Sequence, residues 1–385
     1  MTKPQLVNEP PKKDSFISPD RLLMGSGPSR VHPDVLKVSS NGTIGHLDPA
    51  MIAMMEELKD MLRYVFQTDN PMTFPVSGPG SLGMEACVNN MVEPRDKAII
   101  AINGVFGTRM AEVARRAGAD VVTVENEWGT PVDPGKVEAA LKANPDTKHV
   151  GFVHAETSTG VLSDAAAICK LAREAGAFSI VDTVTSLAGV PVQIDVWGAD
   201  ASYSGSQKCI SCPPGLSPVT FSDKAVTHVE NRDTPVQSWL LDLSLVSAYW
   251  QGDGARTYHH TAPVNSLMGL HEALRRIVDE GLDSVWTRHR DVSAHVVASL
   301  EKLGFKMLVA EEHRLPELLT VFLPEGVDDA AGRSSLLNDY GIEVSAGLGP
   351  FAGKLWRIGL MGEAAREENA DRLVAALTDI VGQGA

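Results

Sequence analysis

Lys97-Ala98-Ile99-Ile100-Ala101-Ile102 opens the stretch of sequence that decides the fold. After Lys97 the run is apolar, and it reads as a buried strand. Phe106 to Ala117 then reads as a helix ending at Gly118, Asp120 to Val124 as a strand, and Pro134 to Ala143 as a helix. His149 to Val153 is a strand, Asp164 to Ala175 a helix, and Phe178 to Val181 a strand. Short apolar strands alternating with helices predict an α/β fold: a mostly parallel sheet with helices on both faces. Gly118 and Gly176 stand at helix–strand junctions, where a C-capping glycine is expected.

Beyond Val264 the pattern changes. Leu267, Leu270, Leu274, Ile277 and Val278 share one helical face, and Gly281 should stop that helix. Val285, Val292, Val296, Leu300 and Leu303 continue on a second helix. Strands are expected near Phe305–Val309, Leu318–Leu323 and Leu355–Leu360, with helices near Ala330–Leu337 and Ala370–Ile380. The expected organisation is an N-terminal arm (1–20), a large domain (21–275) and a smaller C-terminal α+β domain (276–385), with the boundary inside the long helices around 265–285. No internal repeat or low-complexity tract is visible.

The chain has 385 residues, enough for two domains with their own cores. Its net charge of −15 opposes nucleic-acid binding, which needs a basic face. No apolar run is long enough to span a membrane, and the first residues lack the apolar core of a secretory signal. The C-terminal Gly382-Gln383-Gly384-Ala385 is not a peroxisomal address. Four irregularly spaced cysteines (Cys87, Cys169, Cys209, Cys212) suit a reducing compartment, so a cytoplasmic location is expected. Cys209-Ile210-Ser211-Cys212 has the C-x-x-C form, but it lacks a second pair for zinc and is followed by Pro213-Pro214 where a redox motif would begin a helix.

Lys208 carries the first chemical signal. It sits in Ser204-Gly205-Ser206-Gln207-Lys208, after a short strand-like run and before Pro213-Pro214-Gly215. A lysine held still and partly desolvated among small residues suits Schiff-base chemistry with pyridoxal phosphate; a plain loop lysine is the alternative. Gly78-Pro79-Gly80-Ser81-Leu82-Gly83 matches G-x-G-x-x-G and opens a helix. The strand at 97–102 ends in Asn103-Gly104 without the acid a dinucleotide ribose needs, so a single phosphate on the helix N-terminus, or a simple turn, fits better. Asp182 ends a parallel strand and points into a ligand crevice or serves as a cap or ion-pair partner. Opposite a pyridine nitrogen it would keep that nitrogen protonated. Arg357, inside Leu355-Trp356-Arg357-Ile358-Gly359-Leu360, must be paired, with a substrate carboxylate or with a structural acid. Tyr258-His259-His260-Thr261 suggests metal at first sight, but no third ligand accompanies it, and no metal site is expected.

Together these motifs resemble the class V, fold-type I PLP-dependent aminotransferases, and among them the alanine–glyoxylate aminotransferase group. Ser204-Gly205-Ser206-Gln207-Lys208 is similar to that family's Schiff-base segment. His154-Ala155-Glu156-Thr157-Ser158-Thr159-Gly160, Val181-Asp182, Tyr258-His259-His260-Thr261 and Arg357-Ile358-Gly359 match its other signatures in the same order. The resemblance runs from about Met24 to the last helix. It implies a seven-stranded-type sheet and a PLP-transferase fold.

The resemblance also implies roles. Lys208 would hold the cofactor and shuttle the proton between Cα and C4′. Asp182 would pair with the ring nitrogen, Val184 would pack on one ring face, and Phe106 would stack where the family usually has tryptophan. Thr157 would reach the ring hydroxyl. The backbone at Gly80 and Ser81, with the Gln207 side chain, would hold the phosphate. Tyr258 and Thr261 would reach the phosphate of a neighbouring subunit, implying an obligate homodimer with sites at the interface. Arg357 would clamp the substrate carboxylate, and Gly45 and His46 would line the substrate entrance. Pro79 departs from relatives that offer a hydroxyl there, and Ser81 is its expected replacement. His46 is bulkier than the serine of animal-type relatives, and His46 and Tyr258 occupy places near which ureidoglycine–glyoxylate relatives carry a side-chain amide. The implied reaction moves an amino group from a small amino acid, alanine, to glyoxylate. Serine–glyoxylate and (S)-ureidoglycine–glyoxylate transamination are the alternatives. A cysteine desulfurase would need a nucleophilic cysteine after Cys212, and none occurs; a PLP-sensing regulator would need a DNA-binding domain.

Overall fold

The structure, a computed structural model, describes residues 13–251 and 256–384. Most of the expected N-terminal arm therefore lies outside the described residues; 13–20 are exposed and form no regular element.

In chain order the strands begin with β1 (Leu22–Leu23), β2 (Met72–Val76), β3 (Lys97–Ile102), β4 (Asp120–Glu125) and β5 (Thr147–Val153). A short hairpin follows, β6 (Ala155–Glu156) with β7 (Val161–Leu162), and then β8 (Phe178–Asp182), β9 (Ala201–Tyr203) and β10 (Ser217–Phe221). The last third carries β11 (Lys306–Met307), β12 (Leu318–Phe322), β13 (Ile342–Glu343), β14 (Ser345–Ala346) and β15 (Leu355–Gly359).

The main sheet has seven strands in the order β2-β10-β9-β8-β5-β3-β4. All its pairings are parallel except those of β10, which runs antiparallel to both β2 and β9. This is the expected mostly parallel sheet. Its strands are apolar because helices cover both faces, so neither side of a strand meets water. The covering helices have local start signals. Asp133 caps Pro134–Ala143 through the Gly135 amide at 2.8 Å, and Asp164 caps Ala165–Glu174 through the Ala167 amide at 2.9 Å. Val264–Glu280 ends at Gly281, as its pattern predicts.

A second, four-stranded sheet runs β11-β12-β15-β14. Its core joins Val321, Leu319, Trp356 and Ile358 to Leu373 and Leu377 of the last helix. Leu22 and Met24 belong to this second core, and β1 pairs in parallel with β13. The helix Leu282–Lys302 serves both cores: Leu282 and Val285 pack with the first, Val292, Val296 and Leu300 with the second. The strand expected at Phe305–Val309 contracts to Lys306–Met307.

Among the described residues no helix is long and apolar enough to cross a membrane.

Candidate active site

The parallel strands β3, β5 and β8 lie side by side, and their carboxyl ends open onto one crevice. Phe106 follows β3, Thr157 follows β5, and Asp182 ends β8. Lys208 enters from the segment after β9, and Arg357 from β15 of the small domain.

Asp182 is 2% exposed, and two donors hold it: the Tyr203 hydroxyl on Oδ2 at 2.7 Å and the Val184 amide on Oδ1 at 2.8 Å. Burial still raises its pKa to about 7, against the pull of those two hydrogen bonds. A cationic ring nitrogen beside it would reverse that shift. Thr157 lies close by, its hydroxyl in a short hydrogen bond with Thr185.

Lys208 is 7% exposed, and its Nζ donates to the Ser26 carbonyl in a short hydrogen bond. Burial lowers its pKa to about 8, and the Arg357 guanidinium pushes the same way. Sequence reasoning missed Ser26. The available signal was the glycine pair in Met24-Gly25-Ser26-Gly27: Gly27 has φ +101, and a Cβ there would stand 2.7 Å from Lys208 Nζ.

Arg357 is also 7% exposed. Its Nε donates to the Ala346 carbonyl at 2.8 Å and its Nη1 to the Thr157 carbonyl at 3.3 Å. Among the described residues no Asp or Glu pairs with it, which leaves its Nη2 amino group facing no protein acceptor. Burial brings its pKa down to about 10, opposed by Glu156.

Glu156 was quoted within a motif but given no role. It is fully buried, and its carboxylate accepts from the Phe106 amide (3.1 Å), the Gly107 amide (3.4 Å), the Ser158 amide (3.0 Å) and the Ser158 hydroxyl (2.6 Å). Helix Val105–Arg116 has Gly104 as its N-cap, which offers no side chain, so Glu156 supplies the missing acceptor and fixes Phe106. Phe106 in turn carries the Arg109 guanidinium, 4.9 Å from its ring centroid, and Arg109 Nη1 donates to Ser81 Oγ at 3.1 Å.

The helix Gly80–Met91 begins at this crevice, with β2 just before it. Its N-cap is Pro79, and no side chain caps it, so its first amides are open to an anion. A Cβ at Gly80 would lie 3.3 Å from Val184 Cγ2 and 3.5 Å from the Ser204 carbonyl oxygen, so the helix start abuts both the Asp182 and the Lys208 segments. Gln207 completes the cradle. Its Oε1 is buried without a partner, and its amide makes no hydrogen bond among the described residues. An amide beside an uncapped helix start is a donor set that fits a phosphate group.

A second group of expected residues stands apart. Tyr258 is 60% exposed, and its hydroxyl lies 3.3 Å from Thr261 Oγ1. The His46 ring is 5.1 Å from the Tyr258 ring, and Gly45 is exposed beside it. Among the described residues no hydrogen bond or ring contact joins this patch to Lys208, Asp182 or Arg357. It touches the cradle through His260 Nε2, 3.0 Å from Ser77 Oγ in the loop leading to Gly80. His259 stacks on Trp239 at 4.3 Å, so both histidines are engaged in packing. The C-x-x-C cysteines are buried, and burial pushes the Cys212 thiol up to about 12.

This fold and this crevice are those of a class-V aminotransferase, and the chain belongs to that family: the family profile "Aminotransferase class-V" matches residues 33–361. Alanine–glyoxylate aminotransferase of Rattus norvegicus is 41% identical over 379 residues, covering 97% of this chain and 91% of the relative. (S)-Ureidoglycine–glyoxylate transaminase of Bacillus subtilis is 35% identical over 384 residues, covering 95% and 92%. The crystal structure of an alanine–glyoxylate aminotransferase from Nostoc sp. superposes with a TM-score of 0.93 at 45% identity, covering 96% of this chain and 97% of that one. Such relatives are PLP-dependent enzymes of fold type I, and the family implies pyridoxal phosphate here.

Proposed function

We propose that this protein is a pyridoxal-phosphate-dependent transaminase that moves the amino group of alanine to glyoxylate, giving pyruvate and glycine. The observation that carries it is the buried Arg357 without an acidic partner, on the same crevice as a buried, pKa-depressed Lys208. That pairing suits a substrate with one carboxylate and a proton on the carbon beside it.

Bound in the crevice, the cofactor would supply a protonated ring that draws off the charge left when a Cα proton departs. Every other part falls to this chain. The Gly80 and Ser81 amides and the Gln207 side chain would hold the phosphate, with Arg109 beside Ser81 adding positive charge. Asp182, steadied by Tyr203, would pair with the ring nitrogen. Val184 and Phe106 would pack against the ring, and Thr157 would meet its hydroxyl. Lys208 would move the Cα proton, and its burial favours the neutral amine that this task needs. Arg357 would donate to the substrate carboxylate from Nη2, the nitrogen its carbonyl partners leave free. Gly45 and His46 line the entrance.

The active unit on this reading is a homodimer. Tyr258 and Thr261 would reach the partner's phosphate, which accounts for a 60% exposed tyrosine; Trp239, stacked on the adjacent His259, is 62% exposed. A large cofactor domain and a small substrate-gripping domain would meet along Leu282–Lys302. The four buried, unpaired cysteines favour a reducing, cytoplasmic setting.

Alanine added to the cofactor-loaded protein should shift the absorbance of the bound cofactor, and glyoxylate should restore it. Lys208→Ala should abolish both changes; turnover at the wild-type rate would overturn the mechanism. The Bacillus relative motivates one competitor. Ranking alanine, serine and ureidoglycine by kcat/KM with glyoxylate separates the donors, and a ureidoglycine value far above that of alanine would replace the proposed donor.

A further inference from the structure

Arg357 pairs in register with two residues, one on each side: Thr320 on β12 and Ser345 on β14. In antiparallel strands, directly paired residues project from the same face, with Cβ atoms about 5 Å apart. A hydroxyl therefore flanks the guanidinium on either side. The two differ in what their protons do. Thr320 Oγ1 donates to the Thr159 carbonyl at 2.5 Å, so its proton is committed. Ser345 Oγ only accepts. It takes the Ser26 amide at 3.0 Å and the Ser26 hydroxyl at 3.2 Å, and among the described residues it donates to nothing.

The surroundings hold that oxygen in place. Gly25 has no side chain, and a Cβ there would stand 2.6 Å from Ser345 Oγ. Ser26, which donates twice to Ser345, also presents the carbonyl that receives Lys208 Nζ. Ser345 thus lies between the lysine's anchor and the arginine, half-buried, with one O–H free. Arg357 has its own free donors at Nη2, because Nε and Nη1 are occupied by the Ala346 and Thr157 carbonyls.

We propose that Ser345 is a second anchor for the substrate carboxylate, its hydroxyl proton donating to the carboxylate that Arg357 grips. Two donors from different directions strengthen the hold on the carboxylate, a part of the substrate whose charge does not change during the reaction. This rests on the assignment of Arg357 as the carboxylate clamp, and the test separates the two.

The probe is 2-methylalanine, which has the amine and the carboxylate but no Cα hydrogen, so it binds without turnover. Its Kd is read from the absorbance of the cofactor-loaded enzyme. Ser345→Ala should raise that Kd and the KM for alanine about tenfold, the value of one hydrogen bond to a charged group. The limiting half-reaction rate should stay within about twofold, because the contact is equal in ground and transition states. Ser345→Thr, which keeps the hydroxyl, should restore most of the affinity. Binding of 2-amino-1-propanol, an alcohol in place of the carboxylate, should not change. If Arg357→Lys weakens 2-methylalanine and Ser345→Ala does not, the Ser345 assignment fails alone. If Arg357→Lys also leaves the Kd unchanged, the clamp assignment fails and this proposal with it. A lowered melting temperature or altered cofactor absorbance in Ser345→Ala would make the residue structural and overturn the proposal.

Discussion

Glu317→Gln should make this protein more stable at neutral pH. Glu317 stands just before β12 and is fully buried, and among the described residues neither carboxyl oxygen has a hydrogen-bond partner in another residue. Its neighbours are apolar or weakly polar: a Cβ at Gly189 would lie 2.8 Å from Cys209 Sγ and 3.0 Å from the Glu317 carboxyl carbon. Burial raises its pKa from 4.5 to about 8. The sign follows from proton linkage. Below pH 4.5 the group is protonated whether the chain is folded or not, and it carries no penalty. Above that the unfolded chain ionises while the folded chain keeps its proton, so stability falls by about 1.4 kcal/mol per pH unit until about pH 8, where it levels. At pH 7 the cost is about 3 kcal/mol. Glutamine has the same shape and does not ionise, so Glu317→Gln removes this cost. Guanidinium denaturation of both proteins, with and without cofactor, should show a gap of about 1 kcal/mol at pH 5.5 widening to about 3 kcal/mol at pH 7. Parallel stability curves across that range, or a glutamine variant less stable than wild type, would refute the reasoning.

Two further outcomes follow from the site. Tyr203→Phe removes the 2.7 Å donor on Asp182, so the half-reaction with alanine should slow about tenfold and the acidic limb of its pH profile should move upward; an unmoved limb would separate Tyr203 from the titration of Asp182. Gly27→Ala imposes a side chain at φ +101 and 2.7 Å from Lys208 Nζ, so it should cost more than about 1 kcal/mol and reduce cofactor retention on dialysis; full retention would mean that Lys208 tolerates displacement.

Asp182 and Arg357 were legible in the sequence because each violates its surroundings: an acid ending an apolar strand, and a guanidinium inside one. Burial that needs compensation leaves a mark in the sequence. Ser26 and Glu156 left less. Ser26 acts on Lys208 through its carbonyl, which every residue possesses, and Glu156 acts on amides of a helix that follows a different strand. The sheet shows the same division. Strands β3, β4, β5 and β8 each carry a short apolar stretch and could be read directly. Strands β2 and β10 could not, because each contains a proline, and proline argues against an interior strand. The structure pairs Pro75 with Pro218 in register, which brings the two missing donors to one point of the ladder. The Tyr258 patch was legible as a motif, and the structure leaves Tyr258 exposed, away from Lys208 and Asp182.

The segment from Leu22 to Gly27 belongs to two bodies at once. Its first residues pair with β13 beside the second core, and the Gly359 amide donates to the Met24 carbonyl at 2.8 Å. Two residues on, the Ser26 carbonyl accepts from Lys208 Nζ. The same short stretch of backbone therefore touches both the strand that carries Arg357 and the amine of Lys208. Any coupling it carries between those two ends is reciprocal.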